Sequence, residues 1–222
     1  MGMMVKLPKL YAIVDRETLD ARGIILCAFA EELREGGVRL VQYRDKKNGP
    51  QEVLRAAGEI ADVFEGVDAC LILNDRADLA ALLGWGVHVG QGDLSVADAR
   101  ALDGSRSSAK NADERGTQIV GVSTHDENQL RIASESEADY VAIGPVFATA
   151  TKSDAEAVVG LEGVRRARVL TEKPLVAIGG IGLGNAQQAI EAGADSVAVI
   201  SGLLVEGRRT RDVARDFLEI LG

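Results

Sequence analysis

Aromatic residues are scarce in this 222-residue chain, at 4% of the total, with one tryptophan, three tyrosines and four phenylalanines. So few rings leave no platform for stacking nucleobases. Positive charge is short as well: 25 lysines and arginines stand against 34 aspartates and glutamates, a formal net charge of −9. That balance argues against a general nucleic-acid surface, which needs a basic face, yet it leaves room for a local basic pocket around a small anion. Cysteine is nearly absent. Cys27 and Cys70 sit inside apolar segments and read as small buried hydrophobes, and nothing calls for a disulfide between them, which suits a reducing compartment. No apolar run approaches the roughly 20 residues of a membrane span. The opening "MGMMVKLPKL" lacks the longer apolar region of a signal peptide. The expectation is a soluble, cytoplasmic enzyme or binding domain without a membrane or nucleic-acid partner, its acidic surplus serving solubility. The sequence leaves its oligomeric state open.

What the chain does have is alternation. Short β-branched runs at 10–15, 39–45, 69–75, 86–91, 118–124, 140–147, 174–180 and 196–202 are separated by amphipathic stretches. In "GIILCAFAEELREGG" (23–37), Ile25, Phe29 and Leu33 recur at a helical interval before closing glycines. "EVLRAAGEIADVF", "NAQQAIEAG" and "RTRDVARDFLEIL" behave similarly. Nearly continuous apolar strands are what a parallel sheet requires. A doubly wound open sheet and a closed barrel both fit such a pattern; the unit count and length favour an α/β fold of the (β/α)8 TIM-barrel type, one domain over 1–222. One polar patch, "DGSRSSAKNADERG" near 103–116, reads as a surface loop.

In such a barrel the active site lies at the C-terminal strand ends, and unusual polar residues gather there. Strand two ends in "VQYRDK", where alternation puts Gln42, Arg44 and Lys46 on one face and Tyr43 and Asp45 on the other. Strand three ends in Asn74 and Asp75, and strand four runs into "HVGQGD" with Asp93. Asp93 suits a helix cap; paired with Asp75 it also offers a second hard oxygen ligand, and two carboxylates with phosphate oxygens and waters suit Mg²⁺. His88 reads as a core or lining histidine, and no His/Cys cluster has zinc spacing. Strand five ends in Ser123, Thr124 and His125. A triad with Asp126 is discounted, because sequence neighbours rarely have triad geometry; Ser123 serves better as a phosphate or leaving-group donor.

"GPVFATATK" (144–152) raises a choice between a routine turn and a cradle for an anion. Strand seven runs into "GGIGLGN" and strand eight into Ile200–Ser201–Gly202, and barrels commonly bind phosphate at such turns. The dinucleotide fingerprint fails, since its third glycine would fall at Asn185. Two anion zones result: Arg44, Lys46, Lys152 and a Mg²⁺ on Asp75 and Asp93 form one, the late glycines with Ser201 the other. With no evident covalent nucleophile, they suggest chemistry in which a diphosphate leaves and a phosphorylated partner attacks.

"QYRDK", "LND", "HVGQGD", "GVSTH", "GPVFATATK", "GLEG", "AIGGI" and "VIS" follow one another in the order found in bacterial thiamine phosphate synthases, which the chain resembles from "LYAIVD" to "VISGL". The resemblance implies a transferase of thiamine biosynthesis. It joins an aminopyrimidine methyl diphosphate to a thiazole or carboxythiazole phosphate, giving thiamine phosphate and pyrophosphate with Mg²⁺ as cofactor. It implies that Gln42 contacts the pyrimidine, that Arg44 and Lys46 bind the diphosphate, and that Asn74 is a further ligand on that side. Asp75 and Asp93 would be the Mg²⁺ carboxylates and Ser123 a leaving-group contact. Thr149 and Thr151 would hold the thiazole phosphate, with Lys152 turned to the diphosphate and Gly180, Ile200 and Ser201 completing the phosphate pocket. Departures are Ala148 for a usual proline, Gly92 and Arg76 where acidic residues are frequent, and a longer polar insert. The chief alternative is a thiazole tautomerase of the same barrel, which lacks the full diphosphate equipment; the other is a non-catalytic phosphometabolite-binding protein, which needs neither the aspartate pair nor the cationic strand end.

Overall fold

The computed structural model describes residues 6–104, 118–149 and 157–222. Eight parallel strands close into a barrel in sequence order: β1 (Leu10–Asp15), β2 (Leu40–Arg44), β3 (Cys70–Asn74), β4 (Gly86–Val89), β5 (Val120–Thr124), β6 (Tyr140–Ile143), β7 (Leu175–Ile178) and β8 (Ser196–Val199). β1 pairs with β2 through Tyr11–Leu40 and with β8 through Leu10–Val197, which closes the ring. The helices described are α1 (Arg16–Ala21), α2 (Leu26–Glu35), α3 (Pro50–Val63), α4 (Ala77–Leu83), α5 (Val96–Gly104), α6 (Glu127–Glu135), α7 (Gly160–Leu170), α8 (Ala186–Glu191) and α9 (Thr210–Leu221). The (β/α)8 expectation holds.

Period-two alternation divides the core into two compartments. In β1, Leu10, Ala12 and Val14 point outward into the large cluster between sheet and helices. Tyr11 and Ile13 point inward to a smaller cluster with Leu40, Ile72, Tyr140, Val176 and Ala198. All six β1 residues are buried, as expected for a strand covered on both faces.

Several strands end sooner than their apolar runs do, and the stops of β6 and β7 have a local cause. β6 ends at Ile143 because Pro145 has no N–H to continue the ladder, so 144–147 is extended loop rather than strand. β7 ends at Ile178 because Gly179 and Gly180 take φ of 100° and 65°. β4 and β8 likewise stop at Val89 and Val199, and Ser201–Leu203 forms a 3-10 turn. The polar patch is not all loop: 103–104 close α5, while 105–116 lie outside the described residues. The cysteines are free thiols, and neither is fully buried. Cys27 donates to Glu59 Oε2 at 3.2 Å, and burial pushes the Cys70 thiol up to about 11. Among the described residues no helix is long and apolar enough to cross a membrane.

Candidate active site

The predicted alternation of β2 is met. Gln42 and Arg44 line a pocket at the barrel mouth together with Asn74, His88, Ser123 and Ile200. Tyr43 faces the other way, its hydroxyl on Asp45 at 2.9 Å. Asp45 in turn accepts the backbone N–H groups of Lys47 and Asn48 at 3.1 and 3.0 Å, fixing the turn that carries Lys46. Arg44 does not stand free: its guanidinium pairs with Asp15 at the end of β1 and reaches Glu17 at 4.0 Å. Asp15 also caps α1, accepting from Thr18 N at 2.9 Å and Thr18 Oγ1 at 2.6 Å.

Lys46 spans to β3, its Nζ 3.2 Å from Asp75 Oδ2. Asp75 is the one non-glycine residue with positive φ, at 62°, among those described. Aspartate tolerates this left-handed conformation better than most side chains, and the N–H of Asp75 is held by the His88 carbonyl at 2.8 Å. The turn brings its carboxylate against that of Asp93. Burial first, then this neighbouring carboxylate, pushes the Asp75 carboxyl above its ordinary value, and Lys46 offsets the rise without reversing it. Asp93 is not a helix cap. It accepts the N–H of Gly90 at 2.8 Å, while Ser95 takes the Asp98 N–H at the start of α5. A Cβ on Gly90 would lie 2.9 Å from Asp93 Oδ2, so a side chain there would displace the Asp93 carboxylate.

Two converging carboxylates whose mutual repulsion is only partly relieved by a lysine form a donor set for a hard divalent cation. No cluster of three or more His, Cys, Asp or Glu occurs among the described residues. Mg²⁺ needs none, because it keeps waters and completes its shell with substrate phosphates. Arg76 adds no positive charge to this pair, since its guanidinium is held by both oxygens of Asp78 at 2.9 and 2.7 Å.

Ser123 Oγ lies 2.8 Å from His88 Nε2. The discounted triad is absent: Asp126 caps α6, and His125 Nδ1 donates to the Gly144 carbonyl at 2.8 Å.

The loops after β6, β7 and β8 interlock where side chains are missing. A Cβ on Gly180 would fall 2.5 Å from the Ala148 carbonyl, and one on Gly202 2.4 Å from that of Ile181. Phe147 N donates to Gly179 O at 3.0 Å. Asn185, which breaks the dinucleotide fingerprint, accepts the Gly182 N–H at 2.8 Å and donates to Gly180 O at 3.0 Å. Thr149, Gly180, Ile200 and Ser201 thus belong to one interlocked rim, with Ser201 exposed at its turn. Thr151 and Lys152 lie outside the described residues.

The family profile described as thiamine monophosphate synthase matches residues 10–203. The chain belongs to the thiamine monophosphate synthase family. It is 47% identical, across 100% of its length and 99% of the relative's, to the thiamine-phosphate synthase of Koribacter versatilis. It is 39% identical, over 88% of this chain and 85% of the relative, to that of Chloroflexus aurantiacus. Among solved structures, a thiamine phosphate pyrophosphorylase from Pyrococcus furiosus superposes with a TM-score of 0.80 at 28% identity, covering 96% of this chain and 95% of that one.

Against this family background, some polar residues of the site were not foreseen in their roles. Asp15, which holds Arg44, reads in sequence only as a strand terminus. Tyr11 and Tyr140 fall within the strand runs 10–15 and 140–147 without a role of their own in the sequence, yet their hydroxyls meet at 2.9 Å inside the barrel. One signal for Tyr140 was present: Gly121 in β5 leaves the space that ring enters.

Proposed function

We infer that this chain is a thiamine phosphate synthase, one catalytic domain acting on two small phosphorylated substrates. The observation that carries the reading is the rim cluster of Lys46, Asp75 and Asp93, set at the mouth of a pocket that also presents Gln42, Arg44 and Ser123. That rim would suit a diphosphate and a Mg²⁺, and the pocket below it, lined by Ile13, Val176 and Ile200 beside Gln42 and Asn74, would face a flat, uncharged heterocycle.

Gln42 would present its amide to the pyrimidine, while Arg44 and Lys46 bind the diphosphate oxygens. Asn74 would add a neutral contact on the same side. Asp75 and Asp93 would hold Mg²⁺, which when bound neutralises charge growing on the leaving diphosphate. Ser123 would donate to that leaving group. The carbon–oxygen bond breaks with its electron pair going to the diphosphate; the electron-rich pyrimidine stabilises the methylene cation, and the thiazole nitrogen supplies the pair that captures it. Positioning and electrostatics replace a covalent nucleophile. Thr149, Gly180, Ile200 and Ser201 would hold the thiazole phosphate, and by resemblance Thr151 joins them while Lys152 serves the diphosphate. Free thiols suit action in the cytoplasm.

The test is to incubate the folded chain with the aminopyrimidine diphosphate, the thiazole phosphate and Mg²⁺. Equal yields of thiamine phosphate and pyrophosphate are expected. Neither product across a range of Mg²⁺ would overturn the reading, and an isomerised thiazole without pyrophosphate would make the chain a tautomerase.

A further inference from the structure

An unbroken hydrogen-bonded line crosses the barrel interior beneath the pocket. Gln42 Nε2 donates to Tyr11 Oη at 2.6 Å, and Tyr11 Oη meets Tyr140 Oη at 2.9 Å. Tyr140 Oη meets His88 Nδ1 at 2.9 Å, and His88 Nε2 meets Ser123 Oγ at 2.8 Å. The line joins β2, β1, β6, β4 and β5. It starts at the residue assigned to the pyrimidine and ends at the residue assigned to the leaving group.

Each phenol has one proton to give, and burial pushes both well above the ordinary tyrosine value, so both keep it. That makes the line directional. Tyr11 accepts from the Gln42 amide, so its own proton goes to its other partner, Tyr140. Tyr140 must then donate to His88 Nδ1. The imidazole therefore carries its proton on Nε2 and gives it to Ser123 Oγ. Ser123 is left with its hydroxyl proton turned to the pocket. Were the line reversed, Ser123 would spend that proton on His88 and offer a ligand only a lone pair.

We propose that Tyr11, Tyr140 and His88 are positioning residues that transmit the orientation of the Gln42 amide through the barrel and fix Ser123 as a donor toward the pocket. Correct seating of the heterocycle at Gln42 is thereby coupled to readiness of the leaving-group donor across the barrel. The purpose given to Ser123 rests on the function proposed above; the direction of the line does not.

The test exploits Gln42→Glu. An ionised carboxylate only accepts, so Tyr11 must donate to it, Tyr140 to Tyr11, and His88 must move its proton to Nδ1. The chain has two histidines, and His125→Asn identifies the His88 signals. Nitrogen-15 NMR of the ligand-free protein is expected to show Nε2–H in the wild type, Nδ1–H in Gln42→Glu, and a mixture in Tyr140→Phe. Tyr140→Phe should also lower kcat about tenfold, the worth of roughly one hydrogen bond, with KM for the thiazole phosphate unchanged. One unchanged tautomer, or a doubly protonated ring, in all three proteins would overturn the relay. A tautomer that switches in Gln42→Glu while the wild type makes no thiamine phosphate would support the relay and sink only the coupling reaction. Product formation with an unresponsive tautomer would do the reverse.

Discussion

The Cβ that Gly121 lacks would fall 2.0 Å from Cζ of Tyr140. The two residues are partners in the β5–β6 ladder, and Gly121 is also the β4–β5 partner of His88. Missing a side chain, Gly121 lets the Tyr140 ring lean across β5 and stack on the imidazole, with centroids 5.5 Å apart and planes at 24°. The space is filled by a rigid ring, so Gly121→Ala forces Tyr140 aside. We expect a loss of about 1–3 kcal/mol, the usual cost of overpacking, together with loss of the single His88 tautomer. Chemical denaturation and nitrogen-15 NMR read the two effects. An alanine variant as stable as the wild type, with the same tautomer, would show that the contact is not what holds the ring.

Asp75 should limit the stability of the metal-free protein. Its folded-state carboxyl titrates above the ordinary value, chiefly through burial and next through Asp93. A raised acid binds its proton more tightly folded than unfolded. The wild type is therefore helped below the unfolded-state pKa and loses that help as pH rises through the folded one. Asp75→Asn removes the titration and keeps a residue tolerant of the φ of 62°. It should melt higher than the wild type at neutral pH in chelator, the gap closing in acid. Added Mg²⁺ should raise Tm of the wild type but not of the variant, whose Mg²⁺ requirement in the coupling assay should rise at least about tenfold. Equal Mg²⁺ titrations would remove Asp75 from the metal site.

How far the sequence carries depends on whether a feature lives along one strand or across several. Parallel strands buried on both faces are apolar runs, so the barrel could be counted. That Gln42 and Arg44 share a face followed from alternation alone; which face points inward did not. Asp75 and Asp93 were pairable because they follow two neighbouring strands, β3 and β4. Overlong strands have a shared cause: Gly144–Pro145 and Gly179–Gly180 look continuous to a hydropathy pattern, yet proline gives no ladder donor and positive φ leaves the strand. The His88–Gly121–Tyr140 alignment left only a lone strand glycine as its trace, because it depends on register between three strands, which no local pattern states. The Asp15–Arg44 pair joins residues 29 apart in sequence for the same reason.

That pair makes a separate prediction. Asp15→Asn keeps the volume and a helix-capping oxygen but leaves the largely buried guanidinium of Arg44 without its closest counter-ion. Breaking a buried pair from one side costs about 3 kcal/mol, and stability should fall by that order. If Arg44 faces the diphosphate site, pyrophosphate supplies the missing negative charge. It should then raise Tm more in the variant than in the wild type. A thermal-shift series with pyrophosphate decides the matter; an equal shift in both proteins would place Arg44 outside the anion's reach.

Two glycines of one turn offer an internal contrast at the other anion zone. Gly180 has φ of 65°, and a Cβ there would lie 2.5 Å from the Ala148 carbonyl and 2.8 Å from Phe147 Cβ. A Cβ on Gly182 would meet nothing within 4 Å, and its φ is not positive. Gly180→Ala therefore incurs about 1–2 kcal/mol of left-handed strain, and it pushes the loop bearing Thr149 away from the β7 turn. Gly182→Ala should stay within about 0.5 kcal/mol of the wild type. If both loops serve the thiazole phosphate, as proposed, Gly180→Ala should raise KM for that substrate about tenfold and leave KM for the aminopyrimidine diphosphate unchanged. Steady-state kinetics with each substrate varied in turn measures the split. A matched rise in both constants would mean that the turn supports the whole mouth of the barrel rather than one phosphate.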